Sequence, residues 1–183
     1  SREADYTLLL HAGPEIAVAS TKAYTAQIAV ELFLAVALGR HNQLVLAEQF
    51  DVHHELGLVA TGMEALLSEK EQRQTNTTQN KQPTRKAKHG TIALIEEGTP
   101  VIAFLMDAKT IAHTRGNLQE VTARGAKALT IVSEESAEAD DQIILPNVND
   151  LLTPLLGIIP GQLIAYYASL HRGYDVDQPR NLA

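Results

Sequence analysis

Val101-Ile-Ala-Phe-Leu-Met106, then Thr110 to Arg124, then Ala128-Leu-Thr-Ile-Val132: the order of these three pieces decides the fold. The first and last are short apolar runs, long enough for a strand and too short for a helix. The piece between them has amphipathic helical spacing and stops at Gly125, a residue that readily ends a helix. Gln142-Ile-Ile-Leu145 supplies a third strand. Asn149 or Asp150 then caps a long apolar helix through about His171, with Pro154 near its first turn and Pro160 inside it. Strands alternating with helices predict an α/β fold, a parallel sheet flanked by helices in three αβα layers. The last helix is expected to bury Leu151, Leu155, Ile158, Ile159 and Leu163.

Upstream, Tyr6-Thr-Leu-Leu-Leu10 reads as a buried strand, and His11 to Ala19 as a loop broken by Gly13 and Pro14. Ser20 or Thr21 can cap a helix that runs to about Gly39. That helix is apolar on nearly every face and is expected to be buried on several sides. A second helix is expected from about Leu44 to Glu71, with Leu56, Val59, Met63, Leu66 and Leu67 at helical spacing. From Gln72 to Lys88 the composition turns polar and basic, with Arg73, Lys81, Arg85, Lys86 and Lys88 and no acid. Such a segment buries too little surface to offset the entropy of ordering it, and is expected to be a disordered linker.

Composition bounds the function. Apolar residues make up 45% of the 183, but the aromatics are only five Tyr and three Phe, so the core must be Leu, Ile, Val and Ala. A formal charge of −7 argues against nucleic-acid binding, which needs a basic face. Without Cys there is no disulfide, thiolate metal site or thiol nucleophile. The longest apolar run, Ala26 to Leu38, is interrupted by Gln27 and Glu31 and falls short of the roughly 20 residues that span a bilayer. With no signal peptide at Ser1, the expectation is a cytoplasmic protein with no membrane partner.

Three places could carry chemistry. The loop Gly13-Pro-Glu-Ile-Ala-Val-Ala-Ser-Thr-Lys22 lies between a strand and a helix, where open α/β sheets take ligands and a helix N-terminus favours an anion. Lys88-His89-Gly90 offers a histidine that titrates in the range proton transfer needs. The tail Asp175-Val-Asp-Gln-Pro-Arg-Asn-Leu-Ala183 carries Arg180, which can bind a carboxylate or phosphate with two parallel bonds. Each also has a plain structural reading: a helix cap, a solvated loop histidine and an Arg near a chain end. Asp51-Val-His-His-Glu55 holds metal-ligand types, but His53 and His54 are adjacent on a helix and diverge, so no metal site is expected. Glu134 to Asp141 reads as a solvated acidic loop.

These stretches resemble the isomerase half of the glutamine–fructose-6-phosphate aminotransferases (glucosamine-6-phosphate synthases), which is built of two sugar isomerase (SIS) domains. The resemblance covers roughly 1–71 and 88–183. It implies an incomplete SIS-type, Rossmann-like parallel sheet. Residues 1–71 would be the C-terminal part of a first SIS domain with connecting helices, 72–88 the linker, and 89–183 the C-terminal part of a second with a ligand-covering tail. By the same resemblance Val18 and Ser20 line the sugar site, as do Arg180 and the backbone at Ala183. The resemblance further implies that His89 is the residue associated with opening the sugar ring.

The resemblance also implies what this chain lacks. The family's proton-moving Glu lies ahead of the Lys-His-Gly motif, and Gln72 to Ala87 stands where a longer family segment should be. The phosphate loop would fall before Ser1, and the family's sugar-contacting Lys just beyond Ala183. The implied protein is truncated at both ends and internally deleted. It is expected to bind fructose-6-phosphate or glucosamine-6-phosphate, to need no cofactor, and to be inactive alone. The alternative is a non-catalytic remnant that acts as a packing or dimerisation module, with room for a homodimer.

Overall fold

The computed structural model describes residues 5–13, 21–68 and 94–176. The linker expected at 72–88 lies outside them. Two compact units emerge, one of Ser1–Gly57 with Gly161–Ala183 and one of Leu58–Pro160.

The second unit holds the sheet. Strands β1 (Pro100–Leu105), β2 (Lys127–Ser133) and β3 (Ile143–Leu145) lie side by side in that order. Both pairings are parallel, with Val101 opposite Ala128, Phe104 opposite Ile131 and Ile131 opposite Ile143. The parallel sheet expected from the sequence is thus present, with each strand within a residue or so of its expected limits. Ile131, Val132, Leu105 and Leu145 are all but sealed from solvent, and form the centre of the core with Leu152 and Leu156.

Between β1 and β2 runs the helix Ile111–Ala123, which ends where expected, at Gly125 with φ +96°. Its Arg115, Thr122 and Ala123 lie beside Ala128 and Thr130, on one face of the sheet. The first turns of the helix Thr153–His171 pass the other face, where Gly157 comes against Phe104 and Met106. Helices on both faces of a parallel sheet make the expected three-layer αβα arrangement.

That last helix starts differently from expectation. Asn149 caps a 3-10 turn, Asp150–Leu152, by accepting the Leu151 N–H on its side chain. This turn shifts the buried stripe by one residue. Leu152, Leu155, Leu156 and Pro160 are buried, at helical spacing, while Leu151 is 69% exposed. Ile158, Ile159 and Leu163 are only half-buried, so of the five expected core residues Leu155 alone is fully in the core.

The segments upstream correct three further expectations. With numbering in chain order, α1 is Thr21–His41, α2 Val45–Gln49, α3 Val52–Ser68, α4 Ile111–Ala123 and α5 Thr153–His171. The long second helix is broken into α2 and α3. Phe50 is extended, and the Asp51 carboxylate accepts the N–H groups of His53 and His54, which starts a new helix. Those two donors, His54 first, hold the Asp51 carboxyl below its ordinary range. Next, α1 is not buried on several sides. Leu32, Val36 and Gly39 are buried, but Phe33, Leu34 and Leu38 are exposed. Finally, Tyr6–Leu10 is neither paired in a sheet nor buried, with Tyr6 92% exposed.

By length and composition alone, Thr21–His41 and Asp150–His171 could cross a membrane. A search for one uninterrupted apolar run overlooks this, because it stops at Gln27 and Glu31. The core helix of a soluble protein passes the same test, and the stripe Leu152, Leu155 and Leu156 is such a core face.

Candidate functional site

All five residues singled out from the sequence, Val18, Ser20, His89, Arg180 and Ala183, lie outside the described residues. The structure does not describe how they are arranged. It does frame the first of the three stretches. Two residues in the left-handed region, His11 with φ 51° and Gly13 with φ 73°, lead into the loop, and α1 opens at Thr21 on its far side.

In the sheet unit the position suited to a ligand is outside the carboxyl ends of the strands. The turns there are largely closed by their own side chains. After β1, Asp107 accepts the Lys109 N–H at 3.0 Å, and its other oxygen lies 3.3 Å from the Thr110 hydroxyl. A carboxylate thus already occupies the start of α4, the end at which a helix favours negative charge. After β2, residues Glu134–Ser136 form a 3-10 turn, and the Glu135 N–H donates to Asn147 at 3.0 Å. With Asp107, Glu134, Glu135 and Asp150 at this edge, a phosphate would meet like charge.

Two clefts are lined by described residues, and in each the cation is engaged. A cleft of about 480 Å³ lies beside α1, α2 and the start of α3, lined by Phe33, Arg40, Phe50 and His53 among others. Arg40 donates from Nε to the Ala47 carbonyl at 3.1 Å and from its terminal nitrogen to that of Phe50 at 3.0 Å. The Phe33 and His53 rings meet edge to face at 6.0 Å.

The second cleft, about 440 Å³, lies beside α4 and the return from β2 to β3. Its Arg115 binds Asp141 with two parallel bonds, Glu138 at 3.1 Å and the Ser136 carbonyl at 3.0 Å. The Arg115 hydrogen bonds hold the Asp141 carboxyl down to about 2, against the opposing effect of burial, and Asp141 in turn raises Arg115. Next to it, the Gln142 side-chain oxygen accepts from the Thr130 N–H at 2.7 Å and hydroxyl at 3.0 Å. The stretch expected to be a solvated acidic loop is instead, at its end, a buried anchor. A run of acids gave no sign of which one would find the arginine. Both clefts read as braces between elements.

Comparison with known proteins supplies what this geometry leaves open. No family model matches the chain. The glutamine–fructose-6-phosphate aminotransferase (isomerizing) of Streptococcus pneumoniae strain R6 is 50% identical over 218 residues, which take in 100% of this chain and 36% of that protein. Those of Streptococcus mutans and Lactiplantibacillus plantarum are each 48% identical with the same coverage. The chain thus spans about a third of the length of these relatives, and a few dozen of their residues within the matched stretch have no counterpart in its 183. Among solved structures, the C-terminal domain of glucosamine-fructose-6-phosphate aminotransferase from Francisella tularensis superposes with a TM-score of 0.74 at 27% identity, over 97% of this chain and 61% of that one. Along its whole length, this chain is a relative of the isomerase half of the glutamine–fructose-6-phosphate aminotransferases.

Proposed function

We propose that the chain supplies part of a sugar-phosphate site of the amino-sugar biosynthetic type, and that alone it binds a hexose phosphate weakly without turning it over. The observation that carries this reading is the 50% identity to a glutamine–fructose-6-phosphate aminotransferase along the entire chain. Val18 and Ser20 would line the sugar, Arg180 and the Ala183 backbone would approach it, and His89 would act in ring opening. The proposed ligand is fructose-6-phosphate or its product glucosamine-6-phosphate, with no cofactor, and the proposed location is the cytoplasm. Interconverting a ketose and an aldose phosphate needs a base to move a proton between C1 and C2. The chain has no segment like the family's Glu-bearing one ahead of Lys88-His89-Gly90, which supports inactivity.

Titration calorimetry with fructose-6-phosphate, against fructose as control, tests binding. Weak binding that needs the phosphate is expected, and is lost when Ser20 and Arg180 are replaced. Equal failure of both sugars at millimolar concentration would refute the site. Glucose-6-phosphate formation in proportion to protein, abolished by His89→Ala, would refute inactivity.

A second reading, a packing or dimerisation module, is favoured by one observation. The chain exposes apolar side chains on its regular elements, among them Phe33, Leu34 and Leu38 on α1, and Ile102 and Phe104 on β1.

A further inference from the structure

Among the described residues strand β1 is an edge of the sheet, since the order is β1, β2, β3. Lys127 donates its N–H to the Thr99 carbonyl at 2.8 Å, so the backbone of Thr99 faces β2. Backbone groups alternate sides along a strand. Val101, Ala103 and Leu105 therefore face β2, while Ile102 and Phe104 turn their N–H and C=O groups outward. Among the described residues nothing pairs with them. The two residues are 43% and 46% exposed.

Sheet edges are normally guarded by a charge, a bulge or a proline. Pro100-Val-Ile-Ala-Phe-Leu105 has no charge, and its one proline is its first residue. The strand is also its own complement. Two copies run antiparallel and centred on Ala103 place Ile102 of each opposite Phe104 of the other. Residues opposite each other in this way exchange both N–H···O=C bonds. All four outward N–H groups of Ile102 and Phe104 are then matched, and Pro100, which has no N–H, falls beyond the paired region. The same register sets each Ile102 against a Phe104 on one face, a β-branched and aromatic pair of the kind that stabilises sheets.

We propose that β1 pairs with β1 of a second copy of this chain about a two-fold axis, giving a continuous six-stranded sheet. This gives the packing reading a surface, and it stands apart from sugar binding. Four backbone bonds and two Ile–Phe pairs cover less than the roughly 1,000 Å² that a stable interface buries, so the dimer is weak and depends on concentration. Each copy carries a formal charge of −7, so raising the salt should strengthen it.

The full chain is tested by sedimentation equilibrium across concentration and by amide exchange. The expected result is a mass that rises with concentration, and exchange at the Ile102 and Phe104 amides that slows with it, while the Ala103 amide, turned toward β2, is unchanged. Ile102→Lys and Phe104→Lys, both at exposed positions, should each weaken association about tenfold or more. A monomer at all concentrations overturns the proposal. So does protection of both amides that is independent of concentration, which would mean that another segment of the same chain, such as Tyr6–Leu10, covers the edge. A dimer that persists in both variants with unchanged exchange overturns the surface but leaves the packing reading standing. None of these outcomes bears on fructose-6-phosphate binding.

Discussion

Arg115 and Asp141, 26 positions apart, meet through two parallel hydrogen bonds, Nη2 to Oδ2 at 2.7 Å and Nη1 to Oδ1 at 3.2 Å. The Asp141 side chain is almost wholly buried, and that of Arg115 largely so. Removing the guanidinium would strand a buried carboxylate, which costs more than the pair contributes. Arg115→Met is therefore expected to destabilise by about 2–3 kcal/mol, and Asp141→Asn, which keeps the shape, by about 1–2 kcal/mol. Urea unfolding measures both. Two variants as stable as the parent would show that the brace does nothing.

The same pair sets a pH dependence. The folded Asp141 carboxyl sits at about 2, below its ordinary 3.8. As pH falls, the unfolded chain takes up this proton first. The stabilisation is thus complete above about pH 4 and is lost as pH drops toward 2. After a discount for solvent screening it is on the order of 1–2 kcal/mol. Melting temperature followed from pH 5 to 2 should fall less steeply in Asp141→Asn. Parallel curves would assign the acid sensitivity to other carboxylates.

Two glycines should respond in opposite directions. Gly125 has φ +96°, and a Cβ there would sit 2.9 Å from the Glu97 Cα and collide with its carboxylate. Gly125→Ala is expected to lose about 2 kcal/mol or more through backbone strain. Gly116 lies inside α4 with nothing within 4 Å of an added Cβ. Gly116→Ala should gain about 0.5–1 kcal/mol of helix propensity. Thermal unfolding of the two variants decides, and equal effects would contradict the backbone geometry.

Leu156 is fully buried, and its methyls lie 3.1 and 3.3 Å from where a Cβ on Gly62 would stand. Leu156→Ala should cost about 2–5 kcal/mol, for the lost burial and the cavity left behind. Gly62→Ala alone should crowd that leucine. In the double variant the new methyl has room, so the combined loss should be smaller than the sum of the two. A double-mutant cycle in urea measures this, and strict additivity would mean that the two residues do not touch.

Where one local signal governed a segment, sequence reading located it. The strands around Phe104, Ile131 and Ile144 are apolar runs with turn residues at their ends, and Gly125 stops α4 because only a left-handed residue fits there. Where two signals competed, the weaker was missed. Apolar spacing continues from Leu44 to Leu67, and masks the cap that Asp51 makes on α3. The Asn149 cap was found, but not the 3-10 turn it starts, which moved Leu151 out to solvent. Tyr6–Leu10 has strand composition, yet a strand needs a neighbour, and composition does not name one. The Arg115 brace depends on a contact across 26 positions that no local pattern announces. The candidate sugar residues, Val18 and His89 among them, came from family resemblance, and the described geometry does not reach them.

The return from β2 to β3, made with a single 3-10 turn and no α-helix, has a consequence in time. Ile131 pairs with Ile143 across a short loop, whereas Pro100 pairs with Lys127 across a longer one that contains α4. Shorter loops close faster and with less loss of entropy. We therefore expect β2 and β3 to meet first and β1 to join a two-strand template. Gln142→Ala, which removes the acceptor of the Thr130 N–H, should then slow refolding, while Val101→Ala should chiefly hasten unfolding. Stopped-flow chevrons of the two variants would show it, and the reverse pattern would put β1 at the start of folding.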